Sequence, residues 1–504
     1  MRGRRVILSM VGAAFAVLCF PLSLSAEEDG AFSNSYIVKA ADIEVLEDFA
    51  AQHGIEVSPL ITYPNPSKET MELFGDSYVL TFPDESKSAA EDRIQMLGTL
   101  PGVAYVEPNA RVYLAPGWDE EPVEDFSPSQ GMNPADPYTP NDPLYDQQWD
   151  KPIAETDWAW NTSKGEGVII AIIDTGVDTT HEDLVDNLVD GYNFALNNTN
   201  VWDVKGHGTT VCGMAGARMD NNLGVAGTAG LASIMMLRIA DNSGAMYLNW
   251  AVNAVNYAAD NGAKVISMSF IGGAYTPFET ALNNAWEQGL FLCAGVGNSG
   301  NTNVGYPAAY ERVMAVGASN QEDTRLPQSN YGEKVDIFAP GGYSTKRGGG
   351  YGGTSLTSFT TPQIAGLAAL LFSAYPHATP QQVWDNIIQG ADTIDSDVGK
   401  ILRMNSRNAV EMEIIAVEER KPEPIGLWAA SVQSGVIRFT YDLPASTSYN
   451  LRIFDVTGRE LYAERGRTDT KGEISCNPAL GSGVYFWRFK TSEGTSSGKF
   501  VYVR

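Results

Sequence analysis

Residues 168–176 read VIIAIIDTG. An unbroken run of aliphatic side chains, most of them β-branched, suits a strand covered on both faces, as the strands of a parallel sheet are. The run ends on a carboxylate, Asp174, followed by Thr175 and Gly176. Ligands of open α/β sheets gather outside the carboxyl ends of the strands, so Asp174 is either a capping residue or one that faces that crevice.

The same grammar continues outward. Ile234–Ile239, Lys264–Phe270, Leu290–Gly297, Val313–Gly317 and Val335–Phe338 are further short apolar runs. Between them lie stretches with helical periodicity at His207–Arg218, Tyr247–Asn261 and Phe278–Gln288. A long apolar helix follows at Phe359–Tyr375, and Pro380 after Thr379 marks one more helix start. Alternating strands and helices over about 143–410 predict an α/β three-layer sandwich with a doubly wound parallel sheet.

Three other segments flank this one. Residues 27–115 contain a small α+β unit with strands at Tyr36–Val38, Tyr78–Phe82 and Val103–Val106, and helices near Ile43–His53 and Ser86–Leu100. Residues 116–142 are rich in Pro, Asp and Glu and read as a linker that does not fold alone. Residues 420–504 switch to strands and turns, with strands at Ile437–Tyr441, Asn450–Asp455, Tyr485–Lys490 and Lys499–Val503, which predicts a small Ig-like β-sandwich. The start has a basic cluster (Arg2, Arg4, Arg5), an apolar run to Leu22 and small residues to Ala26, the layout of a cleaved signal peptide over 1–26. This predicts a secreted, extracellular or cell-surface chain with no transmembrane segment after signal removal.

With 504 residues, 34 Lys and Arg against 61 Asp and Glu, and a net charge of −27, the chain is expected to be repelled by polyanions, which excludes nucleic acid as its main partner. The acidic balance is compatible with structural Ca²⁺, although the sequence assigns no ligands to it. Cys212, Cys293 and Cys476 are far apart and form no CxxC pair, so they read as isolated thiols rather than a disulfide framework or a metal site. Of the four histidines, His181 precedes Glu182 and Asp183 without the spacing of a zinc pair, and His377 sits in a Pro-flanked turn. His207 stands apart in Gly206-His207-Gly208-Thr209, where the flanking glycines leave room for a substrate, at the start of a small-residue helix.

Three strings taken together, IIDTGVDTTHEDL around Asp174, GHGTTVCGMAG around His207 and TSFTTPQIAGLAALL around Ser358, resemble the subtilisin-like serine protease family in kind and in order. AGVGNSG and VGYPAAYERVMAVGA are similar to two further stretches of that family, and the resemblance covers about 140–410. It implies a serine endopeptidase acting on proteins or peptides through an acyl-enzyme, with no cofactor needed for the chemistry. Asp174, His207 and Ser358 would form the catalytic triad, and Asn298 would supply the oxyanion-hole amide. The serine motif departs from the family pattern, because Leu356-Thr357-Ser358 stands where Gly-Thr-Ser is usual and Gly353-Thr354-Ser355 imitates it upstream. Pro362 lies four residues after Ser358 but seven after Ser355, which favours Ser358. Ser269, Phe270, Ile271, Gly297 and Gly305 align with substrate-binding positions. There Gly305 would leave the S1 pocket deep enough for a large apolar side chain, and Ile271 in place of glycine would obstruct a wall. The first domain resembles the propeptide inhibitor of that family, in YIVKA and PGVAYVEPNARVYL. The last is similar to the C-terminal sorting domain of type IX secretion, which would make the secretion machinery a partner.

Overall fold

The computed structural model describes residues 34–83, 90–117, 136–414 and most of 426–502, and falls into two compact units, 1–414 and 415–504. The expected signal peptide, the start of the expected helix at Ser86 and most of the expected linker lie outside the described residues.

In the first unit the run around Asp174 is the strand Ile169–Asp174, inside a nine-stranded sheet. From edge to edge the order is Asp392–Ser396, Gly399–Arg403, Ile337–Pro340, Met314–Ser319, Phe291–Gly295, Val265–Met268, Ile169–Asp174, Ser233–Arg238 and Leu188–Asn193. All neighbours pair parallel except Asp392–Ser396, which runs antiparallel to Gly399–Arg403. Alternation along each strand sends side chains to two cores. Ile170, Ile172, Ile234 and Met236 pack with the helices His207–Gly216 and Thr357–Ala374. Ala171, Ile173, Met235 and Leu237 pack with Leu248–Asp260 and Thr276–Glu287. That is the expected three-layer sandwich, and both apolar faces of the central strand are used. The strand Leu188–Asn193 and the hairpin Gly342–Lys346/Gly350–Thr354 had no apolar signature and add to the expected elements.

The N-terminal module is a four-stranded antiparallel sheet, ordered Glu56–Pro59, Ser77–Thr81, Ser35–Ala40, Val103–Pro108. Its first helix, Ile43–His53, starts where the Asp42 carboxylate accepts from the Glu44 N–H and stops at Gly54. The module lies on the helix Leu248–Asp260: the Asp260 carboxylate accepts from the Tyr63 hydroxyl at 2.6 Å and the Ser67 N–H at 2.9 Å, and Asn253 bonds Thr62 and Leu60.

Both described ends of the expected linker touch the peptidase. Residues 136–142 pack on its loops: the Tyr138 hydroxyl donates to Asp220 at 2.6 Å, the Lys164 ammonium sits 3.4 Å from the Tyr138 ring centroid and Asp142 accepts from the Asp220 N–H. At the other end, Pro116 is held in the cleft rather than free, as described below.

The second unit has a three-stranded sheet (Gly426–Gln433, Val436–Asp442, Lys471–Cys476) and a four-stranded one (Glu460–Arg467, Ser448–Phe454, Gly483–Lys490, Thr495–Tyr502). Phe439 and Ile474 of the first share a core with Leu451, Ile453 and Trp487 of the second, the facing-sheet arrangement expected of a β-sandwich.

Candidate active site

Asp174 ends its strand at the carboxyl edge of the sheet, and His207 begins the helix His207–Gly216. The Asp174 Oδ1 receives the His207 Nδ1 at 2.8 Å and the Thr175 N–H at 2.7 Å, with both the Asp174 and His207 side chains fully buried. A carboxylate can only accept, so Nδ1 carries the hydrogen and Nε2 keeps its lone pair for a proton. The flanking glycine serves this pair rather than the substrate: a Cβ on Gly208 would lie 2.1 Å from the Gly176 carbonyl oxygen and 3.0 Å from Asp174 Oδ1. Asp203 holds the approach, accepting from the Thr209 N–H and hydroxyl and from the Thr175 hydroxyl.

Ser358 lies in the first turn of Thr357–Ala374, whereas Ser355 lies outside the helix, between it and the hairpin. Ser358 Oγ is buried and has no hydrogen-bond partner among the described residues. The helices bearing His207 and Ser358 pack together, and the Phe359 ring lies 5.1 Å, centroid to centroid, from the His207 ring. From the sheet side, the Ser269 hydroxyl donates to the Ser358 carbonyl at 2.7 Å.

Asn298 follows the strand Phe291–Gly295. Its Oδ1 accepts from the Thr357 N–H (3.1 Å) and hydroxyl (2.7 Å), which turns Nδ2 away from the helix. Nδ2 donates to the Pro116 carbonyl oxygen at 3.0 Å. Gly297 (φ 103°) makes the turn, with Asn330 Nδ2 2.7 Å from where a Cβ would stand. Thr357 had no separate signal in the sequence, since its value is visible only across 59 residues of chain.

Residues 111–116 run along the peptidase, beginning as the short strand Arg111–Val112. Arg111–Val112 pairs antiparallel with Met246–Tyr247, and Tyr113 exchanges both backbone bonds with Ile271 at 2.8 and 2.7 Å. Of the expected substrate-binding residues, Ile271 therefore contacts this strand directly and Ser269 braces the serine helix. Phe270 is a core residue stacked on Phe278, so its side chain does not face the cleft. At Gly305, a Cβ would lie 3.2 Å from both Cβ and Cγ2 of Ile271. Ile271 therefore stands against the face that Gly305 leaves open.

The remaining nucleophiles and histidines serve the fold. Cys212, Cys293 and Cys476 are buried thiols, and burial pushes all three up. His181 is buried and bonds the Gly350 carbonyl and the Asp183 N–H, and His377 is exposed. Under the serine helix, Lys151 Nζ reaches Asp150 at 2.8 Å and Gln363 at 3.1 Å, all fully buried, and Gln363 Nε2 bonds Asp150 in return. This buried network ties the helix to the segment before the sheet.

The model of the Subtilase family matches residues 165–411. Thermitase of Thermoactinomyces vulgaris is 42% identical over 241 residues, 47% of this chain and 86% of its own length. A thermophilic serine proteinase of Bacillus sp. (strain AK1) is 36% identical over 398 residues, 75% of this chain and 98% of its own. Among solved structures, a protease of Pseudoalteromonas arctica aligns with a TM-score of 0.50 at 26% identity, over 54% of this chain and 98% of that one. The chain belongs to the subtilase family. It is a subtilisin-like serine endopeptidase.

Proposed function

We propose that Ser358 is the nucleophile, His207 the general base and then acid, and Asp174 the group that fixes the imidazole. The observation that carries this is the Asp174–His207 bond at the start of a helix that packs against the helix whose first turn holds the buried Ser358 hydroxyl. His207 Nε2 would take the Ser358 proton as Oγ attacks the carbonyl, and Asp174 would stabilise the imidazolium. Asn298 Nδ2, with the Ser358 backbone N–H, would receive the oxyanion. The imidazolium then gives its proton to the leaving amine, and water hydrolyses the acyl-enzyme through the same groups.

The N-terminal module acts in this reading as an inhibitor whose tail sits where a substrate would. The Pro116 carbonyl meets the Asn298 donor, so the bond first cut in maturation is Pro116–Gly117. Proline has no N–H to give the cleft edge, which makes this a slow substrate and a persistent plug. Small side chains before the cleaved bond are favoured by Ile271 beside Gly305. The chain is read as secreted, with residues 420–504 as an address for type IX secretion machinery.

The test is purification of wild type and Ser358→Ala from a protease-free host. Wild type should hydrolyse casein and show a new N-terminus at Gly117, while Ser358→Ala should remain full-length and inert. Cleavage of Ser358→Ala at Gly117 in that host would contradict self-processing.

A further inference from the structure

The hairpin that leads into the serine helix carries Lys346 at the end of its first strand, Gly342–Lys346, and Arg347 in its turn. Lys346 Nζ lies 5.9 Å from the Phe359 ring centroid, and among the described residues it donates only to the Gly353 carbonyl, at 3.4 Å. No carboxylate pairs with it among the described residues, and burial without such a partner holds its ammonium below the ordinary lysine range. Arg347 is exposed, and its guanidinium donates to the Asp203 backbone carbonyl rather than to a carboxylate. Its Cβ stands 3.6 Å from where a Cβ on Gly206 would be, next to His207. Of the acids around the hairpin, Asp178 is taken up by the Gly348 N–H and by Thr180, and Glu182 by the Tyr351 hydroxyl.

These groups border the leaving-group side of the site. The segment 111–116 occupies the acyl side, along Met246–Tyr247 and Ile271, and ends at Asn298. Phe359 follows the nucleophile and lies on the ring that protonates the leaving amine. A chain extending beyond the cleaved bond would leave on the His207 side, and near the Phe359 ring there stands a half-buried ammonium whose hydrogen bond goes to a backbone carbonyl. In a chain of net charge −27 such a cation is a local exception, and a partly desolvated ammonium gains most from an anionic partner.

We infer that Lys346, aided by Arg347, forms a subsite for acidic side chains in the first three positions after the cleaved bond. The inference rests on the triad reading above. Its sequence counterpart is the chain's own continuation, Gly117-Trp118-Asp119-Glu120-Glu121, whose first acid is the third residue after Pro116. The enzyme thus selects substrates whose new N-terminus is acidic.

The experiment uses mature enzyme and internally quenched peptides that carry Asp or Asn at each of those three positions. The readout is the Asp/Asn ratio of kcat/KM, which a general loss of activity does not imitate. Wild type should favour Asp roughly three- to tenfold at one position or more, less so at high salt. Lys346→Gln should bring the ratio to about 1, Lys346→Arg should restore it, and Lys346→Glu should invert it. Equal ratios in wild type and Lys346→Gln, with fluorophosphonate still labelling Ser358, would overturn the inference alone. Absence of both cleavage and label would overturn the triad reading with it.

Discussion

Thr357 holds Asn298 by two bonds to one atom: its N–H and its hydroxyl both donate to Asn298 Oδ1, at 3.1 and 2.7 Å. A side-chain amide so held has one orientation, with Nδ2 directed at the carbonyl in the cleft. On the proposed roles, the residue before the nucleophile would aim the oxyanion donor, and the bond from Thr357 would keep Asn298 in register with Ser358 on the next position of the helix.

This relationship sets the first prediction. Asn298→Ala should lower kcat about 10²- to 10³-fold with little change in KM, the range known for removing such a donor from a subtilisin. Thr357→Val, which keeps the shape and the N–H bond but loses the hydroxyl, should cost less, about tenfold. Steady-state kinetics on one peptide substrate checks both. A Thr357→Val enzyme as impaired as Asn298→Ala would mean that Thr357 does more than orient the amide.

A second prediction concerns the pocket. Ile271 touches the space that Gly305 opens. Ile271→Gly should raise kcat/KM for peptides with Phe before the cleaved bond, relative to Ala, about tenfold or more. Gly305→Ala should lower turnover of every peptide, because its methyl would meet Ile271. Paired peptide assays decide this, and an unchanged Phe/Ala ratio in Ile271→Gly would place the pocket elsewhere.

The strings around Asp174, His207 and Ser358 were readable because each is contiguous and marks a strand end or a helix start. Asn298 stood in a Gly-rich loop and was readable only beside those strings. The N-terminal module was legible as strand and helix, but the seat of Pro116 rests on a bond across 182 residues, which no local pattern encodes. The edge strand Leu188–Asn193 escaped because it carries Asp190 and Gly191 with a half-exposed face. The hairpin before Ser358 escaped for a similar reason: six glycines between 342 and 353 leave no alternation to read. Lys346 escaped with it.

A third prediction follows from Glu107, which accepts from the Thr276 N–H where the N-terminal module meets the peptidase. Burial raises its carboxyl above the ordinary glutamate range. The bound state then holds the proton more tightly than the free one, so inhibition is strongest below the ordinary glutamate pKa and weakens as pH rises through the raised value. Inhibition constants of the separate module (27–116) against mature enzyme should rise over that window. Glu107→Gln should flatten the profile, and an identical slope in that variant would assign the dependence to another group.

The central claim, that Ser358 is the nucleophile activated by the Asp174–His207 pair, is tested most directly by fluorophosphonate labelling of the mature enzyme followed by peptide mass spectrometry. The adduct should map to Ser358. His207→Ala should slow labelling by several orders of magnitude, and Ser355→Ala should label and hydrolyse peptides at nearly the wild-type rate. An adduct on Ser355, or full labelling of Ser358→Ala, would contradict the account.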